Sequence, residues 1–483
     1  MKTTWPVFLG FALLAAPAAQ AQYSYTTNAD GVTLTIARYS GPGGSVSIPA
    51  TNNDGLSVVS IGEFAFAQTT NMTSVVIPGT VTNIGEGAFQ SCTSLTNVTI
   101  PGSVTDIGEY AFEFCFDLVS ITIPAGVTSI EQNAFVYCTS LAGVAIPATV
   151  TNIGAYAFGG CPNMAAITVD TQNLFYSSIG GVLFDQNQTT LVEFPGGLGG
   201  DYAIPGTVTN IGDSAFSRCT NLASVTIPGT VTSIGEGAFA ECFNLTNATI
   251  PDSVTSIGEA AFDDCYSLTG SVTIPGGVSS IAQQAFDDCR SLLSVTIANG
   301  VTNIGELAFE SCTNLSSVTI PDGVTSIGEE AFLGCISLAS LTIPGSVSNF
   351  GTMAFDGCSH LTNVYFKGNA PAISSTVFAY DTNATFYYLP GATGWTNTLA
   401  GRFPVLWNPL IQSSGSSFGV SNAQFGFNIT GTTNIPIVVE ACANLASPVW
   451  IPLQTLALTN GVFYFSEPLR TNTPARYYRI SSP

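Results

Sequence analysis

The residues of this 483-residue chain best suited to chemistry recur at fixed intervals. Eleven of its twelve cysteines (Cys92, Cys115, Cys138, Cys161, Cys219, Cys242, Cys265, Cys289, Cys312, Cys335 and Cys358) stand three residues after a phenylalanine, in steps of 23 wherever nothing interrupts. Twelve cysteines would ordinarily suggest a disulfide framework. One constant slot points instead to a buried column of small hydrophobes, because side chains pointing inward in parallel lack the crossed geometry of a disulfide. Zinc is excluded on ligand grounds, since no CxxC pair or histidine partner accompanies them. The carboxylates are patterned too. Glu86, Glu109, Asp213, Glu236, Glu259, Glu306 and Glu329 fall after or near an Ile-Gly pair, and Asp263-Asp264 and Asp287-Asp288 follow a phenylalanine. Facing carboxylates could serve acid–base chemistry of the glycosidase kind or bridge Ca²⁺. A ladder spread about 5 Å per step does not converge on a pocket, and no DxDxDG loop is present, so a solvated acidic face is expected. The single histidine, His360, reads as an exposed loop residue, and Lys367 is the only lysine after Lys2. No catalytic residue, cofactor site or dedicated metal site is predicted.

These residues are positioned by a repeated unit, Val81 to Pro101, VTNIGEGAFQSCTSLTNVTIP, whose register is followed through Phe66, Phe89, Phe112, Phe135, Phe158, Phe216, Phe239, Phe262, Phe286, Phe309, Phe332 and Phe355. The period and the LxxLxL spacing of Leu95, Val98 and Ile100 are those of a leucine-rich repeat. Alternation sends Val98 and Ile100 inward and Asn97 and Thr99 outward, and Pro101 ends the strand. The return half, IGEGAFQSC, brings Phe89 and Cys92 back to the core at helical spacing, so a helical or irregular return is expected. One unit cannot bury its apolar face alone, whereas stacked units share a continuous core.

The whole motif, IGxxAFxxCxxLxxVTIPxxV, resembles the bacterial BspA-like class of leucine-rich repeat proteins over roughly residues 55 to 365. The resemblance implies a curved solenoid, on a cell surface or secreted, that adheres to or binds other macromolecules. It supplies no catalytic residues.

Taken in order, residues 1–21 carry an early Lys2, an apolar run from Trp5 to Ala16 and small residues at Ala19 and Ala21, which predicts a cleavable secretory signal. No later run is long and apolar enough to span a bilayer. Residues 22–54 form an N-terminal cap with a hairpin turn at Asp30-Gly31. The solenoid occupies 55–363, its first unit atypical in having Thr69 at the cysteine slot. Between about 168 and 203 the rhythm breaks, with Cys161 and Cys219 separated by 58 residues, and an extra hairpin-like coil or a protruding binding loop is expected. Its glycines (Gly196, Gly197, Gly199, Gly200) are not followed by Gly-Lys-Ser and do not make a phosphate loop. One extra residue at Gly270 predicts a strand bulge. Residues 364–411 read as a degenerate last coil, with Asp381 at the cysteine slot, and a cap in which Trp395 and Trp407 cover the open end; 412–417 read as a polar linker. Residues 418–483 alternate as several short strands and predict a small β-sandwich. Through VVEACANLASPVW, LTNGVFYF and RYYR this part resembles a C-terminal β-module of other secreted bacterial proteins, which implies either surface retention or sorting, or a passive stabilising domain.

Composition bounds the partners. Nine Lys plus Arg against thirty-one Asp plus Glu give a net charge of −22, which excludes nucleic acid. What remains is recognition by a monomer through the polar, nearly uncharged strand face, for which Thr99, Thr122, Thr226, Thr249, Thr273, Thr296, Thr319, Thr342 and Tyr365 are the candidate contacts and a protein or surface polymer the expected ligand. Tyr365 is the one aromatic platform on that face. A structural spacer without a ligand is the alternative, and a carbohydrate-active or ice-binding protein a more distant one.

Overall fold

A computed structural model describes residues 22–395, 398–415, 417–469 and 475–481. The signal segment expected at 1–21 lies outside the described residues. Two compact units divide the chain between Leu268 and Thr269.

The first unit opens with an antiparallel hairpin, Tyr23–Thr27 against Thr33–Tyr39. Asp30 shapes its turn by accepting from the amides of Val32 and Thr33 at 2.9 Å. The coils beyond it contribute two kinds of parallel strand. One is the expected outward strand, as in Met72–Val76 beside Asn97–Thr99 or Leu222–Thr226 beside Asn247–Thr249. The other, not foreseen from the sequence, is a two-residue strand at the Asn-Ile or Ser-Ile pair, such as Asn83–Ile84 beside Asp106–Ile107, with both isoleucines buried. The outward ladder is interrupted at residues 118–123, which are not in a strand although Ile121 and Ile123 are buried and Ser120 and Thr122 exposed.

The return carries no helix among the described residues, which corrects its helical part. Around each of the twelve register phenylalanines from Phe66 to Phe355, the positions two residues before and two after take the left-handed conformation: Gly87 and Ser91 around Phe89 (φ 55° and 57°), Tyr110 and Phe114 around Phe112 (φ 55° and 56°). Left-handed residues cannot propagate a right-handed helix. The amides that a helix would use internally donate to the next coil instead, Gly87 to Glu109 O at 2.8 Å, Phe89 to Ala111 O at 2.8 Å and Ser91 to Glu113 O at 2.7 Å. The backbone therefore approaches its neighbour closely after the isoleucine. A Cβ on Gly85 would lie 2.8 Å from Ile61 O, which is why Ile-Gly recurs.

The phenylalanines stack into columns. Successive rings from Phe66 to Phe158 lie 5.0 to 5.4 Å apart, and Tyr39 of the hairpin begins the column, 5.0 Å from Phe66. The inserted segment makes the expected hairpin, Tyr176–Ile179 against Val182–Asp185, and then a full coil, because Thr190–Glu193 pairs with Asn210–Ile211 in the same parallel manner as its neighbours. Phe194 takes the phenylalanine slot, 4.9 Å from Phe216. Buried Asn173 ties the insert down: its Nδ2 donates to Pro147 O and Val150 O, and its Oδ1 accepts from the amides of Phe175 and Tyr176.

The second unit continues with Gly270–Ile274, Leu292–Ile297 and Ser317–Thr319 in register, and the expected bulge falls at Gly270/Ser271. Phe286 to Phe378 form a column with ring spacings of 5.1 to 5.4 Å. The last coils, Ser340–Ile343, Asn363–Phe366, Thr385–Tyr388 and Val405–Leu406, form one sheet. After them come two antiparallel sheets, one built on Gln424–Thr430 and one on Pro436–Cys442. The strand Leu410–Gln412 already belongs to the first of these, Gln412 facing Asn428, so the linker read from Gln412 onward starts later than its composition suggested.

Candidate functional site

Along the outward strands every second side chain is buried and the residues between face solvent. In the first unit Asn97, Thr99, Ser120, Thr122, Thr226, Asn247 and Thr249 are exposed, with Thr226 directly beside Thr249. In the second, Ser271, Thr273, Thr296, Ser317 and Thr319 are exposed, and Thr273, Thr296 and Thr319 stand in one column. The period-2 rule alone placed these residues, since a one-residue slip would have buried threonine and exposed valine.

The column ends differently from what the sequence suggested. Thr342 is half-buried, and Tyr365, beside it in register, is only 4% exposed, so it is not an aromatic platform open to a ligand. Tyr365 stacks on Tyr387 at 5.0 Å and meets the edge of Trp407 at 6.1 Å. Both tyrosines join one apolar cluster with Phe427, Ile437, Val439 and Phe465 of the antiparallel sheets. Trp407 reaches the same sheets by donating from Nε1 to Pro436 O at 2.8 Å. The outward slot turns from threonine to tyrosine where the β-module covers it, because aromatic rings gain most from burial. Trp395 is buried against Tyr388 at 5.1 Å and donates to Gly368 O.

Inside the coils the cysteines are buried, and none forms a disulfide among the described residues. Each thiol has a partner that spacing could not reveal: Cys92 donates to Phe66 O at 3.2 Å, Cys242 to Phe216 O at 3.0 Å and Cys335 to Phe309 O at 3.2 Å. Burial pushes the Cys92 and Cys242 thiols up to about 12 and Cys115 well above its usual value, so they stay protonated and unreactive at neutral pH. Three acids, Glu193, Asp356 and Asp381, are buried in the same framework. Glu193 occupies the alanine slot before Phe194, and burial raises it far above the carboxylate range, opposed by the Phe158 amide. Asp381, fully buried at the cysteine slot, is pushed up to about 7 by burial, with Arg402 pulling the other way.

Residues 59–190, 201–314 and 279–393 match the BspA type leucine rich repeat region (6 copies). The chain belongs to the BspA-type leucine-rich repeat family. Among solved structures, a leucine-rich repeat protein from Eubacterium ventriosum is 29% identical, with a TM-score of 0.60, over 70% of this chain and 93% of its own. A leucine rich cell surface protein from Faecalibacterium prausnitzii is 29% identical over 68% and 93% of the two chains, with a TM-score of 0.45. A leucine-rich repeat protein from Bacteroides ovatus is 28% identical over 76% and 98%, with a TM-score of 0.42. No curated protein matches the chain in sequence.

In these BspA-type coils the acidic slots do not gather into a centre. Glu63, Glu86, Asp106 and Glu131 border a broad, open groove on the two-residue strands of the first unit. In the second unit Glu310 is pushed up to about 7, first by burial and then by repulsion from Asp287, Glu330 and Asp288. Among the described residues no three acidic, histidine or cysteine side chains converge as metal ligands. His360 is exposed, with Nδ1 2.5 Å from Ile336 O. The insert presents Leu174, Phe175 and Ile179 to solvent. Among the described residues no helix is long and apolar enough to cross a membrane.

Proposed function

We propose that this BspA-type chain is an extracellular binding protein that holds a protein or a surface polymer against its polar strand rows and does no chemistry on it. The carrying observation is the contrast between exposed, uncharged threonine columns, such as Thr273, Thr296 and Thr319 in the second unit, and the acids repeated in the slots after Ile-Gly and after the phenylalanine, with Asp201 an acid on an outward strand of the first unit. Polar side chains repeated at one strand spacing suit an extended partner, which meets the same group at every step. The signal expected from residues 1–21 accords with an extracellular location, and the charge of −22 accords with a partner that is not a nucleic acid.

The test is an array of extracellular-matrix proteins and surface polysaccharides probed with the labelled full chain. Thr249→Arg, Thr296→Arg and Thr319→Arg together should abolish whatever binding the wild type shows, since bulk and unpaired charge enter the contact. These sites are exposed, so melting should barely shift. Glu236→Gln, Glu259→Gln and Glu306→Gln together should leave binding intact. If the glutamine variant loses the partner and the arginine variant keeps it, the acidic return is the contact surface and the strand face is a spacer.

A further inference from the structure

Where the threonine column of the second unit gives way to tyrosine, the structure leaves a cavity of about 350 Å³. Thr342, Lys367, Tyr388, Trp407, Arg479 and Ser481 line it, together with the stacked pair Tyr365 and Tyr387. Its size lies in the range of small-ligand sites, and its make-up has their form, an aromatic wall with a few polar groups around it.

The placement of charge is what singles it out. The chain has nine basic residues against thirty-one acidic ones, and two of the nine border this one cavity. Lys367 is loosely held: its Nζ is 3.5 Å from Asp322 Oδ1, with the lysine side chain half exposed and the aspartate largely in water. Such a pair contributes little and yields readily to another anion. Arg479 is held firmly, its Nε donating to Glu440 at 2.6 Å while Trp450 lies 4.4 Å from Cζ, which fixes the plane of the guanidinium. The hydroxyls of Thr342 and Ser481 add groups that both donate and accept.

We propose that this cavity binds one acidic sugar unit, a hexuronate, with its carboxylate on Lys367 and its ring against Tyr388 and Trp407, the half-buried aromatic residues of the lining. A bare inorganic anion would use the cations and leave the aromatic wall idle, whereas a neutral sugar would leave Lys367 idle. A fatty acid would leave the hydroxyls without partners. A hexuronate uses all three: its C–H face suits aromatic rings, its hydroxyls suit Thr342 and Ser481, and its carboxylate suits the ammonium. The cavity shares Thr342 and Tyr365 with the candidate strand-face contacts, but none of Thr249, Thr296 and Thr319, which the strand-face test replaces, lines it, so the two tests fail separately.

The test is calorimetric titration of the full chain with sodium glucuronate, glucose and sodium acetate. Glucuronate should saturate with an affinity in the millimolar range, as expected for so small a ligand, and bind more tightly than either glucose or acetate. Lys367→Gln, at an exposed position, should weaken glucuronate about tenfold through loss of one charge-assisted contact and leave glucose unchanged. Thr342→Tyr extends the tyrosine column by one place and should close the cavity to all three, with circular dichroism and melting confirming the fold. The proposal is overturned if glucuronate shows no saturation by about 50 mM, well above the millimolar range. Acetate binding as well as glucuronate would also overturn it, because charge alone would then be recognised. A Lys367→Gln variant that binds glucuronate like the wild type would remove the carboxylate's assigned partner.

Discussion

Phe239 shows what one residue contributes to a stacked architecture. Its ring is wholly buried between Phe216 at 4.8 Å and Phe262 at 5.0 Å, so it supports the coil on either side as well as its own. Phe239→Ala should cost roughly 3–5 kcal/mol, because the flanking rings are held by their own coils and cannot collapse into the space. Urea denaturation of the two proteins measures this, and an unchanged midpoint would mean the ring is not a core element. Asp381 is the opposite case, a buried group whose ionisation opposes folding. Its pKa rises from 3.8 to about 7 in the folded chain, so the folded state holds the proton more tightly than the unfolded state. Its favourable contribution is therefore complete below the unfolded pKa and is lost as pH rises through about 7, where the folded carboxyl must ionise. Asp381→Asn should raise the melting temperature at pH 8 and change it little at pH 3.5. An equal shift at both pH values would show that packing, not ionisation, distinguishes the two side chains.

At the scale of the coil, the outward strand was legible from sequence because alternation has a period of two and proline marks its end, and structure and sequence agree residue by residue at Asn97, Val98 and Thr99. The return was not legible. Phe89 and Cys92 have helical spacing, but the conformation is decided at Gly87 and Ser91, and elsewhere those slots hold Tyr110, Phe114, Glu241 or Leu307, a set with no shared signature for a left-handed backbone. The cross-coil hydrogen bonds that repay this conformation belong to the next coil and so are invisible within one repeat. The insert was half legible: its hairpin could be read, whereas Phe194 and Glu193 stand where Ala-Phe would, in a frame that the altered spacing hides. Its anchor is Asn173, 1% exposed and engaged in four hydrogen bonds to backbone. Asn173→Ala strands two carbonyls and two amides and should cost roughly 2–4 kcal/mol. Limited proteolysis should then cut first between 170 and 190, and cleavage unchanged from wild type would show that the hairpin is held by other contacts.

For the whole molecule the dominant long-range quantity is charge, −22 on 483 residues, and the coils concentrate it by repeating acidic slots. The candidate contacts from Thr99 to Thr319 could be read from sequence because exposure there follows from strand alternation alone. The burial of Tyr365 could not, because it depends on sheets that begin some 45 residues later in the chain and come to rest on it. The same non-local effect governs the acids. Glu310 is raised to about 7 first by its own burial and then because Asp287, Glu330 and Asp288 of adjacent coils stand close to it, a proximity created by stacking and relaxed on unfolding. Folding therefore increases the repulsion among carboxylates, and this part of the stability should depend on ionic strength. Screening shortens from about 30 Å at 0.01 M salt to about 3 Å at 1 M, which spans the distance between neighbouring coils. Melting temperature at pH 8 should accordingly rise with added NaCl, and rise less in a Glu310→Gln variant, which removes one charge from the cluster. At pH 4.5 the slope should flatten for both proteins as carboxylates protonate. A melting temperature that stays constant or falls with NaCl at pH 8 would mean the carboxylates are too well solvated to repel one another, and the acidic slots would then contribute to solubility alone.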